Sequence, residues 1–292
     1  MRLKILSPAK INLFLQITGK RSDGYHDLIS LMCCIDLCDT LSLTVGKPLI
    51  TVRCKHPAVP EDETNLAFLA ADFFLKSLNK NEGVDIFIEK RIPVAAGLGG
   101  GSSNAAAVLR GLNQYYGYPF SLEDLISMGR TIGADVPFFV FGKPAIATGI
   151  GDKLETYTGL EKLMTLLIYS GFGLSTATIY KNLNLGLTKC KKKLSYSLLK
   201  KQGFNARNHL CNDLETVAEL AHPEIIAAKE VLLAHGAIGA LMSGSGPTVF
   251  GLFSDSVTAR KAYQIIFKQY NWQLYLAEMI TQDTEYRTDN AG

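Results

Sequence analysis

The chain has 292 residues, enough for about two domains and an ample core, and its apolar and charged fractions of 47% and 20% are ordinary for a folded globular protein. A formal net charge of +3 is too small to steer the whole molecule to nucleic acid or a membrane surface, so anionic ligands have to be attracted by local groups. The six cysteines (Cys33, Cys34, Cys38, Cys54, Cys190 and Cys211) form no CxxC pair, MRLKILSPAK has no signal-peptide core, and no apolar run nears the roughly 18 residues of a membrane span, which makes a reducing cytoplasm the expected location.

In chain order, period-two patterning predicts a strand over residues 10–17, a turn through Gly19 and Gly24, and strand over 28–45. Leu66, Leu69, Ala70, Phe73, Phe74 and Leu78 recur at helical spacing and call for burial on one face. Residues 84–90 (VDIFIEK) read as a strand. A helix over 102–116 follows, with a serine at its start as cap. A third helix opens at Ser121, whose S-x-x-D pattern with Asp124 is a capping box, and ends at Gly133.

Beyond Gly149 and Gly151 the pattern restarts. Strands are expected over 163–169, 237–242, 248–253 and 273–279, and helices near 212–220, 223–235 and 257–269. Strands and helices mix without regular βαβ alternation, which argues for an α+β fold, the second half forming its own α+β unit. Lys189, Lys191, Lys192, Lys193, Lys200 and Lys201 read as a solvated surface segment, and the polar TQDTEYRTDNAG end as frayed.

The densest signal is IPVAAGLGGGSSNAAAVLRGLN, with Gly97, Gly99, Gly100 and Gly101 between a strand and a helix start. Glycine lets backbone N–H groups turn inward, and a helix N-terminus adds unpaired N–H groups with about half a positive charge, so an anion is favoured there. No GxxxxGK[ST] pattern occurs, and Ser102 stands where a dinucleotide fingerprint wants glycine or alanine. A phosphate loop without its own lysine needs a cation from elsewhere. Lys10 and Asn12 share one face of the strand at 10–17, where Lys10 is either an exposed edge lysine or that cation.

Asp135 in IGADVPFFVF either caps a short helix with Pro137 in its first turn or serves a hydroxyl as base. Gly244 and Gly246 in LMSGSGPTVFGLF form a second loop that meets an anion or packs on the first. Tyr25 and His26 follow a D-G turn, where an aromatic face and a ring nitrogen suit a planar base or simply pack at a rim.

Taken together, SPAKINLFLQITGKRSDGYH, PVAAGLGGGSSNAA, GADVPFF and GSGPT closely resemble the GHMP kinases, in order from Ser7 to Thr248. The glycine loop and GSGPT point to the superfamily. PAKINLFL with the following DGYH, and NDLE at 212–215, resemble its branch acting on a cytidine diphosphate-linked polyol. The resemblance implies a two-domain α+β fold, residues 1–155 like ribosomal protein S5 domain 2 and 156–292 ferredoxin-like, with the active site between them.

It further implies an ATP-dependent small-molecule kinase. Pro93, Val94, Ala95, Ala96, Gly97, Leu98, Gly99, Gly100, Gly101, Ser102 and Ser103 would wrap the ATP phosphates. Lys10 and Asp135 match the catalytic pair, with Asp135 accepting the hydroxyl proton and Lys10 offsetting phosphoryl charge. Asn12 would lie beside the reacting centre, Tyr25 and His26 at the cytidine end, Tyr180 on the other face of the cytosine where the family commonly has phenylalanine, and Thr176 as a substrate neighbour. The SGFGLST run at 170–176 departs from the family's proline-containing version. Mg²⁺ would accompany ATP, with Ser103 the hydroxyl to consider and no dedicated carboxylate cage in the sequence. The implied partners are small molecules, not nucleic acid or membrane. On the residues alone a GHMP kinase for homoserine or mevalonate, or a non-catalytic GHMP-fold nucleotide sensor, also stays open, although retention of both Lys10 and Asp135 argues against the sensor.

Overall fold

The computed structural model describes residues 2–184, 186, 190, 196, 199, 203–283 and 288–291, so the six clustered lysines lie outside the described residues. Two long antiparallel strands, β1 (Arg2–Lys20) and β2 (His26–Lys47), form the spine of the sheet. β2 also pairs with β4 (Gly83–Glu89) and β5 (Ala145–Thr148); β3 (Thr51–Cys54) extends β4, and β6 (Lys153–Thr156) extends β5. The long strands are interrupted by register shifts, one of them between Pro8 and Ala9, where β2 carries two extra residues opposite. Such a bulge re-aims the side chains on either side of it. Asp39 consequently faces Ser7, and Lys10 faces Cys34.

Four helices cover this part of the sheet: α1 (Leu66–Ser77), α2 (Gly100–Tyr115), α3 (Leu122–Ile132) and α4 (Val136–Phe141). The alanines Ala105, Ala106 and Ala107 are fully buried, which lets α2 lie close to the sheet and to α1. That close approach corrects the expected face of α1. Ala67, Ala70, Ala71, Phe74 and Leu75 are buried, whereas Leu69 and Phe73 are exposed, because small residues face α2. The α3 capping box of Ser121 and Asp124 forms as expected. For α2 the cap is Gly99, in the left-handed conformation at φ 70°, and not a serine.

The second half contains β7 (Met164–Tyr169), α5 (Thr176–Lys181), α6 (Ala206–His209), β8 (Cys211–Asn212), α7 (Glu215–Ala221), α8 (Glu224–Ala234), β9 (Gly239–Met242), β10 (Val249–Phe253), α9 (Ser256–Gln269) and β11 (Gln273–Ile280). Strand order β9-β10-β7-β11, all antiparallel, is that of a ferredoxin-like β-α-β-β-α-β unit. β11 then pairs through Met279 with Ile35 of β2, so the two halves share one sheet. The expected frayed end is corrected in part. Its backbone at β12 (Thr288–Ala291) pairs with Arg2 to Ile5 of β1, satisfying an edge that would otherwise be open.

Cys190 and Cys211, which sequence spacing had not paired, are joined by a disulfide. Among the described residues no helix is long and apolar enough to cross a membrane.

Candidate active site

β1 is buried from Ser7 through Ile17 because it pairs with β2 along this stretch and, on its other side, meets the glycine loop at Lys10 and β8 at Phe14 and Leu15. Lys10 and Asn12 are therefore interior groups, 4% and 3% exposed, and the edge-lysine reading falls. An ammonium so placed needs acceptors. Lys10 Nζ donates to Asn12 Oδ1 at 2.6 Å and lies 3.7 Å from Asp135 Oδ2. Asn12 Nδ2 donates in turn to Ser30 Oγ at 2.8 Å, and that hydroxyl to the Phe14 carbonyl, so the side-chain amide is fixed at both ends.

Asp135 occupies the position before α4, but its side chain makes no capping bond and is 41% exposed. Pro137 sits in the first turn of α4 as expected. The carboxylate thus faces the cavity and Lys10, leaving the cap reading without its hydrogen bond.

The glycine loop is anchored to β1 by the Lys10 N–H, which donates to the Leu98 carbonyl at 3.0 Å. Its glycines are needed at different places for different reasons. A Cβ on Gly99 would lie 2.8 Å from the Phe139 ring, and one on Gly97 would collide with the Ser243 carbonyl oxygen. Both also have positive φ. Nine of the eleven loop residues predicted from the sequence line the cavity; Leu98 and Ser103 turn their side chains into the interior, where Ser7 Oγ donates to Ser103 Oγ at 2.7 Å. Ser102 is the loop hydroxyl that does line the cavity.

The second glycine loop packs on the first, one of the two options left open by the sequence. Ser243 Oγ donates to the Gly97 carbonyl at 3.0 Å, and a Cβ on Gly244 would stand 3.0 Å from Lys10 Nζ. The NDLE segment fastens this loop. Asn212 Nδ2 donates to the Met242 and Gly244 carbonyls, and Glu215 accepts from the Met242 N–H, while Asp213 receives the N–H groups of Ile17 and Cys190.

Also on the cavity wall, Tyr25 is 60% exposed on a turn held by Asp23 and Gly24. The His26 ring is buried and 5.4 Å from the Tyr180 ring, tilted by 41°. Burial, then the charge of Lys20, hold the His26 imidazole below its ordinary value. The half-buried Tyr180 hydroxyl is pushed up by burial and then by the charge of Asp135. Thr176 Oγ1 lies 2.8 Å from Ser245 Oγ, tying α5 to the second glycine loop.

Sequence reading missed Lys90, taken as the end of a strand. Its side chain is 7% exposed, pairs with buried Asp39, and lines the cavity beside Gly100, whose Cβ would sit 3.0 Å from Lys90 Nζ. A lysine ending a strand before a glycine loop that lacks one was the available signal.

Lys10, Asp135, Lys90, the two glycine loops and the aromatic groups Tyr25, His26 and Tyr180 border one cavity of about 1140 Å³, above the roughly 300 to 1,000 Å³ usual for a single small-molecule site, so there is room for two ligands. Four lysines (Lys10, Lys20, Lys90 and Lys181) against two aspartates (Asp23 and Asp135) line it, which supplies locally the positive charge that the whole chain lacks. Among the described residues the one group with clustered metal-ligand atoms is Cys190, Cys211 and Asp213, where the two sulfurs are bonded to each other and both carboxylate oxygens already accept N–H groups.

Two α+β halves around such a cavity, with two glycine loops meeting at a buried lysine, define a kinase of the GHMP class. Residues 65–143 match the GHMP kinases N terminal domain and residues 195–271 the GHMP kinases C terminal domain. A 4-diphosphocytidyl-2-C-methyl-D-erythritol kinase of Syntrophus aciditrophicus is 45% identical over 281 residues, 95% of this chain and 99% of the relative. A crystal structure of 4-(cytidine 5'-diphospho)-2C-methyl-D-erythritol kinase superposes with a TM-score of 0.78 at 32% identity, covering 94% of this chain and 98% of that one. A homoserine kinase from Cytophaga hutchinsonii, at 18% identity and TM-score 0.75 over 99% and 97% of the two chains, shares the fold. The chain belongs to the 4-diphosphocytidyl-2-C-methyl-D-erythritol kinase family.

Proposed function

We propose that the protein transfers the γ-phosphoryl group of ATP to the 2-hydroxyl of 4-diphosphocytidyl-2-C-methyl-D-erythritol, a step of the non-mevalonate route to isoprenoids. Identity of 45% along nearly the whole of a kinase bearing that substrate's name supports the choice of acceptor. The single observation carrying the chemistry is the Lys10–Asp135 pair at 3.7 Å, at the point where both glycine loops converge.

Phosphoryl transfer needs alignment and charge compensation more than covalent help from the protein. In this reading the N–H groups of the glycine loop and the N-terminus of α2 cradle the ATP phosphates, with Lys90 beside Gly100 adding a positive charge. Tyr25, His26 and Tyr180 hold the cytosine, and Thr176 and Asn12 fix the polyol end of the acceptor. Asp135 takes the hydroxyl proton as the oxygen attacks the γ-phosphorus, a role worth about 10² to 10⁴ in rate. Lys10 faces the same oxygens and offsets negative charge as ADP departs.

Mg²⁺ suits this donor set as a companion of the nucleotide, since it keeps waters and binds substrate phosphates with few protein ligands. The Ser102 hydroxyl faces the cavity and would serve it beside the phosphates, and the ion would screen the phosphate charge while Asp135 stays free to take the proton. A cytoplasmic location is in keeping with a reaction that consumes ATP. Incubation with ATP, Mg²⁺ and the diphosphocytidyl substrate, beside homoserine and mevalonate, tests the reading: phosphorylation of the first alone is expected, and turnover of either of the others instead would overturn it.

A further inference from the structure

Asp39 is wholly buried and accepts four hydrogen bonds, from groups on both sides of the glycine loop. Upstream, its Oδ1 receives the N–H groups of Arg91 and Ile92 at 2.8 and 2.9 Å, and its Oδ2 receives the Lys90 ammonium. Downstream, the same Oδ2 receives Asn104 Nδ2 at 3.0 Å, and that amide also donates to Ser7 Oγ, which donates to Ser103. One carboxylate thereby ties the entry of the loop, its exit on α2 and the start of β1 into a single network.

A buried anion with this many donors is stable only while they all stay in place, and a buried cation beside it only while the anion does. The Lys90 ammonium has three N–H bonds to direct. Asp39 fixes its orientation, so that the remaining face of the ammonium is turned to the cavity beside Gly100. Asp39 itself is sealed off and is not among the groups bordering the cavity.

We propose that Asp39 is a positioning residue for the nucleotide, setting ATP affinity by holding the Lys90 ammonium against the glycine loop while leaving the cytidine end of the cavity untouched. This rests on the assignment of the loop to ATP made above. Calorimetric titration needs no turnover, so it separates the two: a wild-type protein that binds ATP but phosphorylates nothing would sink the kinase reading and leave this inference standing.

The experiment titrates wild type, Asp39→Asn, Lys90→Met and the double variant with ATP in the presence of Mg²⁺ and, separately, with CDP. Asp39→Asn keeps an acceptor for the two backbone N–H groups but removes the charge and turns an NH₂ toward Lys90 and Asn104. We expect it to weaken ATP binding about tenfold or more, with CDP binding changed by less than about twofold. The double variant is expected to match Lys90→Met, because a residue acting through another adds nothing once that other is gone. Should Asp39→Asn fail to fold, the double variant, which removes both buried charges, keeps the comparison with Lys90→Met. Parallel losses for ATP and CDP, unchanged ATP affinity in Asp39→Asn, or a double variant weaker than Lys90→Met by more than about fivefold would overturn the proposal.

Discussion

Lys10 and Asp135 meet across the cavity at 3.7 Å with opposite solvent access: the ammonium side chain is 5% exposed and the carboxylate 41%. The lysine is fixed by Asn12 and by its strand, whereas the aspartate is open to an incoming hydroxyl. Asp135→Asn should therefore lower kcat by at least about a hundredfold, the lower range for loss of a general base, while ATP affinity and thermal stability hold. Stability is spared because the carboxylate makes no capping bond, and the Lys10 ammonium keeps Asn12 Oδ1 and the amide oxygen of the substituted side chain as acceptors. An unchanged kcat would leave Asp135 with no part in the chemistry.

The glycine loop offers a graded test. A Cβ on Gly101 would meet only Leu66 Cδ1, at 3.7 Å, and Gly101 is exposed in the first turn of α2. Gly101→Val should fold normally and weaken ATP binding, because its branches project over the cradle. Gly97→Ala should instead lower the melting temperature, since the new Cβ pushes the Ser243 carbonyl away and separates the two loops. Calorimetry for ATP and thermal unfolding, run on both variants, check the split; equal melting losses would show that the two glycines do one job.

A pH dependence follows from His26. Its imidazole titrates below the ordinary 6.5 because it is buried and faces Lys20, so the neutral ring is the form present near neutrality. The sign is fixed by that direction. If the neutral nitrogen accepts a hydrogen bond from cytosine, binding is intact above 6.5 and is lost as the pH falls through the lowered value. CDP affinity measured across this range should weaken only on the acid side, and His26→Asn should remove that component. Affinity that rises on acidification would mean that the protonated ring is the binding form.

Much of this site was legible because its chemistry is local in sequence. The glycine run, the D-G turn and the capping box at Ser121 each declare themselves within a few residues. What stayed hidden depends on partners far along the chain. Nothing near Lys10 reveals that β2 and the glycine loop flank its strand and bury it, and nothing near Lys90 reveals the carboxylate of Asp39 beneath it. The face of α1 was misread for the same reason: helical spacing selects large apolar residues, but close packing against the alanines of α2 favours Ala67 and Ala71. Likewise a polar C-terminal segment carries no pattern of its own, and its pairing follows from the open edge of β1.

The aromatic group of Tyr25, His26 and Tyr180 carries the last prediction. Tyr25 is 60% exposed and held by backbone contacts of its turn, so Tyr25→Ala should leave folding intact and isolate the contribution of its ring to binding. Stacking of an aromatic on a base is worth roughly 1 to 3 kcal/mol, which is about one to two decades in affinity for CDP. ATP affinity should hardly move, because Tyr25 sits on the separate turn with Arg21 and Asp23 and its truncation leaves the glycine loop as it is. Tyr180→Phe is the companion measurement. The Tyr180 ring already leans on His26 and its hydroxyl stays protonated, held so by burial and by the charge of Asp135, so removing it should change CDP affinity by less than about twofold if the ring face alone is used. If Tyr25→Ala weakened ATP and spared CDP, these aromatics would belong to the donor nucleotide, and the assignment of the two ligands within the cavity would have to be reversed.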